Sequence, residues 1–202
     1  GWRGIIAEDF TFDNVKLCAL GLSSYLKDVG LDKNGLVVGY DTRFLSREFA
    51  LAVAEIVSGE GIKVFFCDRA TPTPVVSYSI KSYQAGGAVI ITASHNPYQW
   101  NGFKYKPEYA GSASPEIVES LEQHISKAEG YFQKYKTRPR MATHSQFVQS
   151  VDAKHIYIEH VAELIDIEAI KSAGFNVIAD VMYGAGIGYI SELIAGGRTD
   201  IY

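Results

Sequence analysis

A serine and a histidine stand side by side in a short polar loop, Thr92–Pro97, with the sequence Thr-Ala-Ser-His-Asn-Pro. The loop follows 86–91, the most hydrophobic run in the first half of the chain, so a buried strand is predicted to end there. Pro97 has no N–H group and disfavours helical geometry at Asn96, which gives the loop a defined shape. Open α/β sheets carry their chemistry at such strand ends, and Ser94 is therefore predicted to be the reactive residue.

Other chemistries fit these residues less well. Adjacent residues such as Ser94 and His95 rarely orient as nucleophile and base, and the sequence lacks the GxSxG motif of many serine hydrolases. The five histidines show no metal-ligand spacing. The glycine-rich segment 184–188 reads Gly-x-Gly-x-Gly instead of the dinucleotide fingerprint GxGxxG, which favours a structural turn. Asp41 and Arg43 could support the Ser94 loop or form an ordinary ion pair, and the sequence leaves both readings open.

Strand and helix patterns alternate on both sides of the loop. Apolar residues repeat with helical spacing after Asp13, and buried-strand runs occupy 36–40 and 62–66. Ser46 and Thr73 are each expected to cap the helix that follows them. This alternation predicts a layered α/β/α domain with substantial parallel pairing of its strands.

The segment after the loop is expected to turn back on itself. Asn101-Gly102 is a strong turn dipeptide, and 103–106 then has the pattern of a short strand. A strand, a tight loop and a second strand suggest an antiparallel return, so the sheet should be mixed but largely parallel. A helix that begins at Ser114-Pro115 is expected to complete a first domain over residues 1–130.

The last third of the chain predicts the start of a second, similar domain. Residues 131–150 are polar, have no clean period, and are expected to form a linker or an interdomain strand. A second α/β unit over 151–202 follows, with two helices and a strand at 176–180. Because a single strand leaves its edges unpaired, this unit is expected to be incomplete. It should expose apolar surface around Val177 and Ile178, through which chains could self-associate.

The composition is that of an ordinary globular protein, 47% hydrophobic and 21% charged, with a formal net charge of −4. The densest basic cluster consists of Lys134, Lys136, Arg138 and Arg140. We interpret it as a solvated linker, so no nucleic-acid partner is expected. No apolar run approaches transmembrane length, and no membrane partner is expected. Cys18 and Cys67 have apolar surroundings and are interpreted as buried free thiols, which favours a reducing, cytoplasmic location.

Five segments, in order along nearly the whole chain, resemble the N-terminal part of the α-D-phosphohexomutases. The wording is most similar to the phosphoglucomutase and phosphomannomutase branch of that family. The segments are Gly1–Gly4, Val38–Arg43, Thr71–Pro74, Thr92–Pro97 with the following Asn101–Lys104, and Asp180–Gly186. Five matches in family order are a more specific signal than any one of them alone.

The resemblance implies an enzyme that interconverts hexose 1-phosphate and 6-phosphate, of glucose and/or mannose. Ser94 would be a phosphoserine that passes its phosphoryl group to the sugar, and a hexose bisphosphate would be the intermediate. Arg3 would clamp phosphate, Lys104 would act as a cation or proton-transfer group, and His95 would orient or exchange a proton. Mg²⁺ would bind an oxygen of the phosphate on Ser94.

The sequence departs from the family in what it lacks. Those enzymes have four domains, and an Asp-Gly-Asp loop supplies their other magnesium ligands; this sequence contains no Asp-Gly-Asp. The chain is therefore expected to be an N-terminal fragment with little or no mutase activity alone. The alternative is a stand-alone phosphosugar-binding module that never carries phosphate on Ser94.

Overall fold

Strands and helices alternate along the chain. The computed structural model describes residues 1–136 and 146–202, apart from the side chains of 133–136, so the basic cluster lies outside the described side chains. The strands are β1 (Trp2–Ile5), β2 (Leu36–Tyr40), β3 (Val64–Cys67), β4 (Gly87–Ile91), β5 (Trp100–Pro107), β6 (Val148–Val151), β7 (Asn176–Val177) and β8 (Asp200–Ile201). The helices are α1 (Phe12–Asp28), α2 (Ser46–Gly59), α3 (Thr73–Ser82), α4 (Pro115–Lys136), α5 (Ala153–Leu164), α6 (Ile167–Ser172) and α7 (Tyr189–Ile194). Within the described ranges, no helix is long and apolar enough to cross a membrane.

Six strands form one mixed sheet in the order β1-β5-β4-β2-β3-β6. Strands β4, β2, β3 and β6 are parallel, whereas β5 runs antiparallel to both β4 and β1. The predicted antiparallel return is confirmed, since Ile91 at the end of β4 pairs with Phe103. The turn predicted at Asn101-Gly102 is wrong. Both residues are buried inside β5, and the chain reverses earlier, in the Ser94 loop.

The sheet is covered by helices on both faces, which confirms the predicted α/β/α layers. Because side chains alternate along a strand, Leu36 and Val38 of β2 face one core and Val37 faces the other. The first core lies between the sheet and helices α1, α2 and α4. The second lies between the sheet and helices α3 and α5. Because β4, β2, β3 and β6 are parallel, they end at the same edge of the sheet, and the helices leave this edge accessible.

The two predicted helix caps are wrong by one residue. Helix α2 begins at Ser46, and the residue before it, Leu45, has a left-handed conformation with φ of 59°. The hydroxyl of Ser46 donates to Oδ1 of Asp41 at 2.7 Å instead of capping the helix. In α3, Pro72 occupies the cap position and Thr73 is already helical. Both side chains are thereby free of a capping role at the edge where β2 and β3 end.

The segment after residue 146 begins by completing the first sheet. Strand β6 begins in the stretch 131–150 predicted as a linker or interdomain strand, ends at the first residue of the predicted second unit, and pairs in parallel with β3. The predicted strand at 176–180 is shorter, since β7 covers two residues and pairs only with β8 in a two-stranded sheet. Helix α6 and strand β8 were not predicted by the sequence pattern. The expected apolar exposure is present at Ile178, which is 83% exposed, while Val177 is half-buried.

Candidate active site

Ser94 lies at the exposed tip of the loop that follows β4. Its backbone is left-handed, with φ of 58°, a conformation that costs a residue with a Cβ atom about 1–2 kcal/mol. The N–H of Ser94 donates to Oγ1 of Thr92 at 2.9 Å, and the N–H of Asn96 donates to the carbonyl of Ala93 at 3.1 Å. These bonds make a tight turn from which the Ser94 side chain projects into the accessible edge.

Arg43 holds this loop through its main-chain carbonyl groups. Nη2 donates to the carbonyls of Ser94 and Asn96, both at 2.7 Å, and Nη1 donates to those of Pro97 at 2.9 Å and Trp100 at 3.1 Å. Its Nε lies 3.3 Å from Oδ2 of Asp41. Of the two readings that the sequence left open, the structure shows that the Asp41–Arg43 ion pair supports the Ser94 loop.

A buried hydrogen-bond chain fixes Asp41 in turn. Its Oδ1 accepts from the N–H of Arg43 at 3.0 Å and from the Ser46 hydroxyl at 2.7 Å. Nδ2 of Asn101 donates to the oxygen of Ser46 at 2.9 Å, and Oδ1 of Asn101 accepts from the N–H of Gly102 at 2.8 Å. Because Asn101 is fully buried, its amide cannot exchange these partners for water. The loop is thereby tied to the end of β2, the start of α2 and the start of β5.

Two cavities meet at Ser94. The larger, of about 490 Å³, lies over the ends of the parallel strands and reaches Gly184 and Ala185 of the glycine-rich segment. The smaller, of about 280 Å³, is lined by Arg3 and Lys104. Three residues line both cavities: Thr73, Thr92 and Ser94. A group on the Ser94 oxygen would therefore lie between the cavity lined by Arg3 and Lys104 and the roomier one.

Strand pairing brings Arg3 and Lys104 to Ser94. Arg3 is exposed on β1, lies opposite Gly102 of β5, and donates from Nη1 to Oδ1 of Asn96 at 3.0 Å. Lys104 is half-buried two residues further along β5. A Cβ atom on Gly102 would lie 2.6 Å from the Thr92 carbonyl oxygen and 3.0 Å from Cγ of Arg3. The close approach of the three chain segments thus requires glycine at that position.

His95 is placed beside Ser94 but outside both cavity linings. Its Nδ1 lies 3.3 Å from Oγ of Ser94, which is long for a hydrogen bond between these atoms, and its side chain is exposed. Within the described residues, no carboxylate pairs with the His95 ring to orient it as a general base. A serine-hydrolase triad is therefore not assembled here.

The described parts of the chain contain no group of three or more His, Cys, Asp or Glu side chains that could hold a metal ion. Asp41, the carboxylate in the larger cavity, is already occupied by Ser46 and Arg43. The magnesium ligand expected from Ser94 would need partners that these residues do not provide.

The two cysteines are free thiols. Cys67 is buried, as expected, whereas Cys18 is only half-buried against the first core. Burial raises the pKa of each thiol to about 12. Since the thiolate is the reactive form, neither side chain is a nucleophile at neutral pH.

Sequence reasoning missed Thr73, Thr92 and Asn96 as site residues. Thr73 and Thr92 line both cavities, and Asn96 is the partner of Arg3. The available signal was positional, because polar residues that follow parallel strands converge at one edge of the sheet. Thr73 follows β3 and Thr92 follows β4, and the same rule applies to both.

The chain is similar to known sugar-phosphate mutases. Residues 1–132 match the family model described as phosphoglucomutase/phosphomannomutase, alpha/beta/alpha domain I. A phosphoglucomutase of Staphylococcus epidermidis is 30% identical over 184 residues, covering 90% of this chain and 33% of the relative. A phosphoglucosamine mutase of Finegoldia magna is 28% identical over 185 residues, covering 92% of this chain and 39% of the relative.

Solved structures agree with the sequence comparisons. A candidate phosphomannomutase from Thermus thermophilus superposes with a TM-score of 0.81 and 28% identity, over 100% of this chain and 44% of that one. The chain thus spans about a third of the length of the relatives named above. The match to that solved structure continues beyond residue 132, through β6 and the two-stranded sheet.

Proposed function

Because the chain belongs to the phosphoglucomutase/phosphomannomutase family, we propose that Ser94 carries the phosphoryl group of a hexose-phosphate mutase. The observation that carries the proposal is the exposed Ser94 hydroxyl at the junction of a larger cavity and one lined by Arg3 and Lys104. A phosphoserine has about −1.5 to −2 charges at neutral pH, which these two cations would offset. The relatives are named for different sugars, so the proposed substrate class is hexose phosphate, with glucose and mannose as its first members.

The transfer exchanges one P–O bond for another. The bond between phosphorus and Oγ of Ser94 breaks, and a bond forms to a hydroxyl oxygen of a hexose monophosphate. The proton of that hydroxyl leaves as the Ser94 oxygen gains one. The resulting bisphosphate returns its other phosphoryl group to Ser94 after turning over in the site, so 1-phosphate and 6-phosphate interconvert.

Three side chains are proposed to assist this transfer by charge and position. Arg3 binds the phosphate, and its hydrogen bond to the neutral Asn96 amide is one that a phosphate oxygen could replace. Lys104, which lines the same cavity, neutralises charge on the transferring group. His95, 3.3 Å from the Ser94 oxygen, exchanges the proton.

We also propose magnesium as a cofactor and the cytoplasm as the location of the protein. A phosphoserine oxygen on Ser94 would be one magnesium ligand, but the described residues do not form the rest of a site. A hexose bisphosphate is the proposed activator and intermediate. The cytoplasmic setting is supported by the two free thiols.

Intact-mass measurement tests the assignment of Ser94. The purified chain is incubated with glucose 1,6-bisphosphate and Mg²⁺, and a mass gain of one phosphoryl group is expected. Ser94→Ala should abolish the gain, whereas Ser172→Ala, at an exposed serine of α6, should retain it. A mass gain that persists in Ser94→Ala would contradict the assignment of Ser94 as the phosphoserine.

The same samples separate the other functions. Saturable binding of the bisphosphate without any mass gain would favour the stand-alone phosphosugar-binding module. Acylation of Ser94 by a serine-directed reagent would favour a hydrolase. Self-association through the exposed surface around Ile178 is also proposed, on the strength of that exposure alone.

A further inference from the structure

We propose that Arg43 is a positioning residue, which sets the direction of the Ser94 hydroxyl and thereby the rate of phosphoryl transfer without binding the phosphoryl group. The kinetic part of this inference rests on the proposed function of Ser94. The structural part, that Arg43 determines the conformation of the loop, does not depend on it.

The donors of Arg43 point at main-chain carbonyls and at Asp41. Nη1 and Nη2 make four hydrogen bonds to main-chain carbonyls between Ser94 and Trp100, and Nε faces Asp41. The four hydrogen bonds account for the four N–H groups on Nη1 and Nη2, and the Asp41 carboxylate faces Nε, so Arg43 is committed to the protein although it lines the larger cavity. Arg3, by contrast, makes one hydrogen bond in the described structure, to Asn96, and keeps donors available.

The shape of the guanidinium matters as much as its charge. Its planar fork reaches carbonyls of four residues at once, at 2.7 to 3.1 Å. A lysine ammonium is a compact point charge and cannot span this set. If Arg43 acts by position, lysine should fail there even though the charge is retained.

Ser94 is the residue most dependent on this support. It is left-handed, and its own carbonyl accepts one of the two shortest bonds from Arg43. That bond fixes the peptide on the C-terminal side of Ser94, while Thr92 fixes the N–H on the other side. With both peptides held, the Cα–Cβ bond of Ser94 has one direction. The side chains of Arg43 and Asp41 are only 14% and 18% exposed, so their ion pair is largely shielded from water.

The test compares Arg43→Lys with the native chain and with Arg69→Lys as a matched control. Arg69 also follows a strand of the same sheet and pairs with a neighbouring aspartate, Asp68, but it does not contact the Ser94 loop. Asp41→Asn, which keeps Arg43 but weakens its anchor, is the second variant in case Arg43→Lys does not fold. Thermal melts establish folding before either measurement.

The first readout is amide hydrogen exchange by NMR at Ser94 and Asn96. We expect roughly 10-fold or faster exchange in Arg43→Lys, a smaller increase in Asp41→Asn, and native rates in Arg69→Lys. The second is the rate of phosphoryl uptake from glucose 1,6-bisphosphate by intact mass. Since a misplacement of about 1 Å can cost on the order of 100-fold, the maximal rate should fall by up to that factor in Arg43→Lys. The half-saturating concentration should not change, because Arg3 and Lys104 remain.

Native exchange rates at both amides in Arg43→Lys and Asp41→Asn would overturn the inference. So would a raised half-saturating concentration with an unchanged maximal rate, because that result would make Arg43 a phosphate ligand. If the native chain takes up no phosphoryl group, the proposed function of Ser94 fails. Hydrogen exchange at Ser94 and Asn96 then still decides whether Arg43 holds the loop.

Discussion

At the scale of single residues, the site combines one strained residue with an unusual concentration of main-chain hydrogen bonds. The left-handed conformation of Ser94 costs about 1–2 kcal/mol, and the bonds from Arg43 and Thr92 offset it. Such strain is retained where the surrounding structure fixes it, and it is common at reactive positions. The Ser94 side chain is therefore presented by backbone geometry, not by its own hydrogen bonds.

The thiols predict how stability depends on pH. The pKa of buried Cys67 is raised from 9.0 to about 12 by burial, so the folded state holds this proton more tightly than the unfolded state. Its contribution is fully present below pH 9 and is lost as pH rises toward 12. At about pH 10.5 the loss should approach 2 kcal/mol. Cys18, with the same direction of shift, adds to it.

Chemical denaturation at pH 8 and pH 10.5 measures this effect as a fall in the free energy of unfolding. Cys67→Ala should be less stable than the native chain at pH 8, because it leaves a small cavity, but should lose less stability between the two pH values. Equal losses in the native chain and the variant would contradict the assignment to Cys67.

At the scale of elements, the contact between β1, β5 and the Ser94 loop depends on Gly102. Gly102→Ala would place a methyl group 2.6 Å from the Thr92 carbonyl and 3.0 Å from the Trp2 carbonyl, and main-chain atoms cannot easily move away. We expect a loss of about 1–3 kcal/mol in the free energy of unfolding. Weaker phosphoryl uptake should accompany it, because Arg3 lies at the same contact.

Gly130→Ala is the control for Gly102→Ala. Gly130 is exposed in α4, and an added Cβ meets nothing within 4 Å. Alanine should stabilise this helix by about 0.5–1 kcal/mol. Urea titration of both variants gives opposite signs if local space decides the outcome. A neutral Gly102→Ala would show that β1 and β5 can separate without cost.

Sequence patterns predicted those elements whose own residues determine them. The buried run at 36–40 predicted strand β2, and the apolar stripe after Asp13 predicted helix α1. The antiparallel return after β4 was also predicted. The failures at Ser46 and Asn101-Gly102 have one cause. Each residue has a strong local preference, for a cap or a turn, that the Asp41–Ser46–Asn101 hydrogen-bond chain overrides. Local propensity cannot register a partner 55 residues away.

At the scale of the whole molecule, the site is assembled from distant parts of the chain. Arg3 and Asn96 are 93 residues apart, and only the β1–β5–β4 order of the sheet brings them together. Composition and periodicity cannot predict a contact between residues so far apart in the sequence. The motif resemblance did place Ser94, Arg3 and Lys104 in one site, and the structure lines one cavity with all three. The resemblance did not predict that Arg43 would bind main-chain carbonyls.

The apolar surface of the second unit predicts concentration-dependent association. Ile178 is 83% exposed, Met182 81% and Tyr183 90%, next to a sheet in which β7 pairs only with β8. In sedimentation velocity we expect reversible association of the native chain and a shift toward monomer in Ile178→Lys.

Val29→Lys, at a half-exposed apolar residue after α1, is the control and should associate as the native chain does. A native chain that stays monomeric over a wide concentration range would rule out this surface as a site of self-association.

The hydrogen bonds that shape the Ser94 loop leave its hydroxyl oxygen out of the framework. Arg43 binds carbonyls and Thr92 binds the Ser94 N–H, and among the described residues Oγ has only the long contact to His95. Attaching or removing a group at that oxygen breaks none of the bonds that hold the backbone. The reorganisation energy of the protein should therefore be small in either direction, as the proposed reaction requires of a residue that both donates and accepts the phosphoryl group.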